Sequence, residues 1–124
     1  MITSVKIVGV NVADQERALR FYVDQLGFEH VTDQPMGDGP NSRWIEVLPP
    51  DGQTRLVLWT PPGQEDRIGT VAGVVFTCDD VQGTYEELRD RGVEFEAEPK
   101  EESWGVSAQF KDSEGNTFVL SSET

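Results

Sequence analysis

The chain has 124 residues, long enough for one domain that buries a real core, and its 36% hydrophobic and 27% charged content is ordinary for a globular protein. Acidic residues outnumber basic ones 23 to 10, a formal net charge of −13, which argues against a nucleic-acid partner, because phosphate binding relies on Lys and Arg, and either simply keeps a small protein soluble or permits a cationic ligand. No run approaches the ~18 apolar residues of a membrane span, no export signal is visible, and one cysteine excludes an internal disulfide, so a cytoplasmic protein without a membrane partner is expected.

Residues 5–12 are rich in β-branched side chains and partly alternate, which predicts a strand. Asp14 stands where a helix N-cap belongs. Ala18, Leu19, Tyr22 and Leu26 follow at helical spacing with Phe21 on the same side, and Gly27 is the stop. A short strand is expected over 28–31. Residues 33–42, dense in Gly, Pro and Asn, read as a mobile lid. Strands over 44–48 and 54–60 flank a turn at 49–52, and 61–67 is a linker. A strand is then predicted over 71–78. Asp79 or Asp80 caps a helix carrying Val81, Tyr85 and Leu88, which stops at Gly92. Strands over 93–97, 104–110 and 116–121 complete the chain.

The chain is written twice. Gly9-Val-Asn-Val-Ala-Asp14 leads to Gly27-Phe28-Glu29, and Gly73-Val-Val-Phe-Thr-Cys-Asp79 leads to Gly92-Val93-Glu94. Both aspartates stand 13 positions before their glycine (27 − 14 and 92 − 79). Trp44 leads to Leu56-Val57-Leu58 as Trp104 leads to Phe118-Val119-Leu120. A repeat filling the chain implies two similar modules, each β-α-β-β-β, over 1–60 and 70–124. The fold class is therefore α+β.

These residues resemble a known family. Val-Ala-Asp14 with Ala18, Phe21-Tyr22 and Leu26-Gly27-Phe28 is similar to the opening signature of the vicinal oxygen chelate superfamily. Lys111-Asp-Ser-Glu-Gly-Asn116-Thr-Phe-Val-Leu120 is similar to its closing signature, and the segment ending at Asp80 resembles the start of its second module. The family includes glyoxalase I, extradiol dioxygenases, methylmalonyl-CoA epimerase, fosfomycin-inactivating transferases and bleomycin-binding resistance proteins. The resemblance implies a single domain of two βαβββ modules whose mixed sheets curl around a shared cleft, and a homodimer.

The resemblance also implies four metal-ligand positions. They fall on Ile7, Leu58 (Val57 or Leu56 in a shifted register), Gly73 and Val119. None of these side chains carries a lone pair on N, O or S, so no metal and no other cofactor is expected, and no catalytic residue is assigned. What remains is a mostly apolar ligand-binding cleft. Ile7, Leu58, Gly73, Val75 and Val119 are its expected walls. Trp44 and Trp104 either stack on a flat ligand or fill core, and Glu46 and Gln109 either meet a ligand amine or face solvent. Trp59 is expected on the opposite face of its strand, against a helix. His30 reads as a surface residue and Cys78 as an inert thiol on the helix side of its strand. The acids at 94, 96, 98, 101 and 102 read as a solvated edge.

This pattern is most similar to the bleomycin-resistance branch: a metal-free protein that sequesters an apolar, aromatic or cationic small molecule. The alternatives are a divergent lyase, isomerase or dioxygenase with a relocated metal site, and a non-catalytic dimerisation module.

Overall fold

Each half of the chain starts its helix on an aspartate. In the computed structural model, which describes residues 1–39, 42–50 and 52–123, the Asp14 carboxylate accepts a hydrogen bond from the Arg17 N–H at 3.1 Å and opens α1 (Gln15–Arg20). Asp80, not Asp79, accepts from the Gly83 N–H at 3.0 Å and opens α2 (Val81–Asp90). Each carboxylate satisfies a first-turn N–H that has no partner within the helix. The stops are Gly27 at φ 78° and Gly92 at φ 91°, a left-handed backbone that favours glycine.

Counted from the true caps, the first helical segment holds 13 positions to its glycine (27 − 14) and the second 12 (92 − 80). The additional residue is taken up by a single π turn, Phe21–Gln25, in which the Leu26 N–H donates to the Phe21 carbonyl at 3.1 Å. Helical spacing alone predicts one continuous α-helix here. The wider turn keeps Phe21 and Tyr22 buried together, edge to face at 5.3 Å.

The chain divides into two compact units, Met1–Ile68 and Gly69–Thr124. In unit 1, β1 (Ile7–Val10) runs parallel to β4 (Arg55–Leu58). Then β3 (Arg43–Leu48) and β2 (Glu29–Pro35) follow antiparallel, giving the order β1-β4-β3-β2. β2 runs four residues past its predicted end, because Asp33 and Gln34 pair with Ile45 and Trp44. An ion pair reinforces that pairing: Arg43 Nε donates to Asp33 Oδ1 at 3.1 Å. The expected lid therefore shortens to the segment between Pro35 and Arg43, where Pro40 and Asn41 lie outside the described residues, as does Asp51 of the predicted turn.

One face of this sheet carries Val10, Ile45, Val47, Leu56 and Leu58, all buried with Ala18, Leu19 and Tyr22 of the helical segment. Gln15 lies in the same layer, 2% exposed. Its Nε2 donates to the Arg43 carbonyl at 2.6 Å and the Leu58 carbonyl at 2.8 Å, and its Oε1 accepts from the Arg43 N–H at 3.1 Å. One amide thus joins α1 to the start of β3 and the end of β4.

Unit 2 repeats the plan with one more strand. β5 (Val71–Cys78) is parallel to β9 (Thr117–Ser122), which pairs with β8 (Gly105–Lys111). The outer position that β2 fills in unit 1 is split here between β6 (Glu94–Phe95) and β7 (Lys100–Glu102), both antiparallel to β8. The helix side holds an aromatic cluster. Phe118 lies 5.3 Å from Phe76 and 5.7 Å from Phe110, and Phe95 joins it to Tyr85 of α2 at 4.8 Å. The closing signature is a polar lock: the Asp112 carboxylate accepts from the N–H groups of Glu114 and Asn116 and from Asn116 Nδ2, each at 2.9 Å. Asn116 Oδ1 in turn accepts from the Gly69 N–H at 2.8 Å. Among the described residues, no helix is long and apolar enough to cross a membrane.

Gln15→Leu fills the same space but strands two carbonyls and an N–H in the interior. It is expected to lower stability by about 2–4 kcal/mol, read as a fall in the urea midpoint at unchanged slope. Asp112→Ala removes the acceptor of three hydrogen bonds at once and is expected to cost about 2–3 kcal/mol, with amide exchange in the turn at 112–116 accelerating more than exchange in unit 1.

Candidate ligand site

Strand alternation sorts the sequence-derived site residues by face. In unit 1, Val57 is the register partner of both Gly9 and Glu46, and Ile7 pairs with Arg55. This set makes the second face of the sheet, away from α1. Leu58, expected on that face, lies on the helix side, fully buried beside Val10 and Ile45. The register is shifted by one residue, and Val57 holds the position assigned to Leu58. The correction reaches Trp59 too. Extending the Glu46–Val57 register by two residues sets Trp59 across from Trp44, and their rings meet at 5.8 Å, tilted 52°. Trp59 is thus a partner of Trp44 and not a helix contact.

Glu46 organises this face. It is 7% exposed, accepts from Trp44 Nε1 at 2.7 Å, and accepts from Arg55 at 2.8 Å, which closes an ion pair. A buried carboxylate stays charged only with such partners. The Arg55 hydrogen bond foremost, and the Trp44 N–H second, hold its carboxyl below the usual range. Glu46 is therefore committed to the chain's own groups and fixes the Trp44 indole. With Val57 only 2% exposed, the middle of the face is filled. Ile7 and Trp44 stay half-buried toward its margins.

Past the Trp59 end of this face lies a cavity of about 740 Å³ within unit 1. Val12, Met36, Trp59, Pro62 and Ile68 give it an apolar lining, and Ser42, Thr60 and Glu65 add polar groups. None of these was marked as a site residue from sequence except through the lid at 33–42. The signal was present only as Trp-x-Glu on one strand, which puts Trp44 and Glu46 on one face. The cavity needs the chain ends of β1, β4 and the 61–68 segment together, and no periodicity records that.

In unit 2 the expected residues do share a face. Val119 is the register partner of both Val75 and Gln109. Val75 is 58% exposed, Gln109 is exposed, and Val119 is half-buried. Gly73 sits at a register irregularity with φ 70°, and a Cβ there would meet nothing within 4 Å. Trp104 differs from Trp44. It lies in the turn before β8, 56% exposed, whereas Trp44 is inside β3 opposite Gln34.

The metal implied by the resemblance does not fit these residues. With the register corrected, its four positions are Ile7, Val57, Gly73 and Val119, none with a donor atom in its side chain. Among the described residues, no group of three or more His, Cys, Asp or Glu side chains is placed to hold an ion. His30 lies 3.6 Å from Asp33 on the surface of β2.

Because the folded carboxyl of Glu46 titrates below its ordinary value of about 4.3, its stabilisation is complete above that value and is lost as pH falls through the folded pKa. Glu46→Gln should be less stable than the parent at pH 7 and lose less melting temperature between about pH 5 and pH 3. Thermal scans of both proteins across that range check it.

Comparison with known proteins agrees with this architecture. The sequence model of the Glyoxalase/Bleomycin resistance protein/Dioxygenase superfamily matches residues 4–120. YetH of Bacillus subtilis (strain 168) is 41% identical over 120 residues, covering 97% of this chain and 98% of its own. A superfamily member from Sphaerobacter thermophilus DSM 20745 superimposes with a TM-score of 0.88 at 37% identity, over 98% of each chain. TnmS3, an antibiotic binding protein from Streptomyces sp. CB03234, superimposes with a TM-score of 0.82 at 36% identity, over 99% of this chain and 98% of its own. The two sheets of four and five strands, the capped helices and these matches together make the chain a member of the glyoxalase/bleomycin resistance/dioxygenase superfamily.

Proposed function

We propose that this protein is a metal-independent binding protein that sequesters a small, largely apolar or aromatic molecule without transforming it. The observation that carries the reading is a substitution of chemistry. The positions that the resemblance assigns to metal ligands hold Ile7, Val57, Gly73 and Val119, while Trp59, braced by Trp44, lines a cavity of apolar side chains with a few polar groups. An apolar pocket with a few polar groups suits ligand capture, and Glu46 is already consumed in holding Trp44 and Arg55, so it is no general base. The antibiotic-binding relative at 36% identity supports the same class of function.

The protein works as a homodimer in this proposal. Val71, Val75 and Trp104, all exposed in the single chain, are suited to be covered by a second copy. The free thiol of Cys78 suits a reducing compartment such as the cytoplasm. These exposed residues also favour a second reading, in which pairing is the whole function and no ligand binds.

Thermal-shift measurements with Ni²⁺, Zn²⁺, Mn²⁺, Fe²⁺, a chelator and a panel of aromatic and cationic compounds test the proposal. An organic ligand at ~100 times its Kd should add about 2.7 kcal/mol of stability, several degrees for a chain this size, and metals should add nothing. A metal-dependent shift reversed by chelator would return the protein to the enzymes. A stable dimer that no compound stabilises would favour the pairing reading.

A further inference from the structure

We propose that the cavity at the Trp59 end of unit 1 takes one kind of ligand: a planar aromatic molecule bearing a protonated amine, its ring against Trp59 and its ammonium at Glu65. The inference rests on the binding reading above and names its ligand class.

Size and lining set the first limit. A volume of about 740 Å³ falls within the roughly 300–1,000 Å³ of small-molecule pockets. Val12, Met36 and Ile68 offer contact area but no hydrogen bond. The ring surface is held in advance, because Glu46 fixes the Trp44 indole and Trp44 packs against Trp59 at 5.8 Å. A platform ordered before the ligand arrives costs less to bind than one ordered by it. A flat aromatic molecule gains most from such a ring.

The polar groups set the second limit. The Thr60 hydroxyl accepts from the Val12 N–H at 2.8 Å and donates to the Val12 carbonyl at 2.9 Å, so it is committed to closing the strand ends. The Ser42 hydroxyl donates to the Asp38 carbonyl at 3.2 Å. Glu65 is different. Its two carboxylate oxygens share one donor, the Gly63 N–H, at 2.9 and 3.2 Å. That contact fixes the carboxylate at the cavity while using a small part of its acceptor capacity. Among the described residues lining the cavity, Glu65 is the one charged side chain. A protonated amine meets it with a charge-assisted hydrogen bond, and a net charge of −13 draws cations toward the chain and repels anions.

The test uses two probes with the same three-ring skeleton and opposite charge, 9-(aminomethyl)anthracene, an ammonium at neutral pH, and 9-anthracenecarboxylate, titrated into the full chain with tryptophan fluorescence as readout. The ammonium probe is expected to quench saturably at one per chain, and the carboxylate to fail. Glu65→Gln should weaken the ammonium probe about five- to tenfold, and Met36→Arg should weaken it further. Both positions are exposed, so folding is preserved. Glu96→Gln, an exposed acid of unit 2, should change it little. Equal losses in the Glu65 and Glu96 variants would reduce the effect to overall charge and overturn the proposal. So would equal binding of both probes, or binding that ignores Glu65 and Met36 yet is lost with Val75→Asp; either leaves the broader binding function intact. If neither probe binds, this ligand class is wrong, and the thermal-shift panel decides separately whether any small molecule binds.

Discussion

Unit 1 depends on a single buried amide. Gln15 follows the capping aspartate, so its place on the helix is fixed by the cap, and its side chain spends both ends on the backbone of β3 and β4. Those contacts fall where β3 begins and β4 ends. The next residues along these strands are Trp44 and Trp59. A hydrogen bond of this kind contributes about 0.5–1.5 kcal/mol net, yet leaving its partners unmade in the interior costs more. The amide is therefore a constraint on register: with Arg43 and Leu58 tied to one side chain, the two tryptophans have no freedom to slide apart. Glu46 then fixes the angle of one of them through its indole N–H.

The two units show how one plan is adjusted locally. Both helices begin on Asp and stop on a left-handed Gly, but the first carries one more residue and absorbs it in a π turn. Both sheets pair their first and last strands in parallel, yet the outer strand is continuous in unit 1 and broken in unit 2. Unit 1 joins its elements with Gln15, and unit 2 closes its final turn with Asp112 and Asn116. In each case one polar side chain with several backbone partners does the joining, since buried N–H and C=O groups at element ends must be satisfied by something.

Family membership settles the frame and leaves the chemistry to the residues. In this superfamily frame, the deciding fact is which atoms occupy the strand positions that face away from the helices. At the implied metal positions they are hydrocarbon side chains and a glycine, and the buried carboxylate of the unit 1 face, Glu46, is already paired with Arg55. Such a face offers shape and dispersion contact, with tryptophan as its largest contributor.

The sequence by itself determined the α+β repeat, the first helix start, both helix stops and nearly every strand, and it fixed which side chains stand at the implied metal positions, because capping, alternation and side-chain chemistry are local properties; it left the second helix start open between Asp79 and Asp80. It placed Val75, Gln109 and Val119 on one face for the same reason. It misread Leu58, Trp59 and the equivalence of Trp44 with Trp104, since a one-residue shift reverses a strand's faces and register is fixed by partners distant in sequence. The roles of Gln15 and Glu46, the length of β2 and the cavity beside Trp59 were decided by tertiary structure alone. Each exists only where groups 9 to 48 positions apart are brought within hydrogen-bond distance, and no single stretch of sequence encodes that meeting.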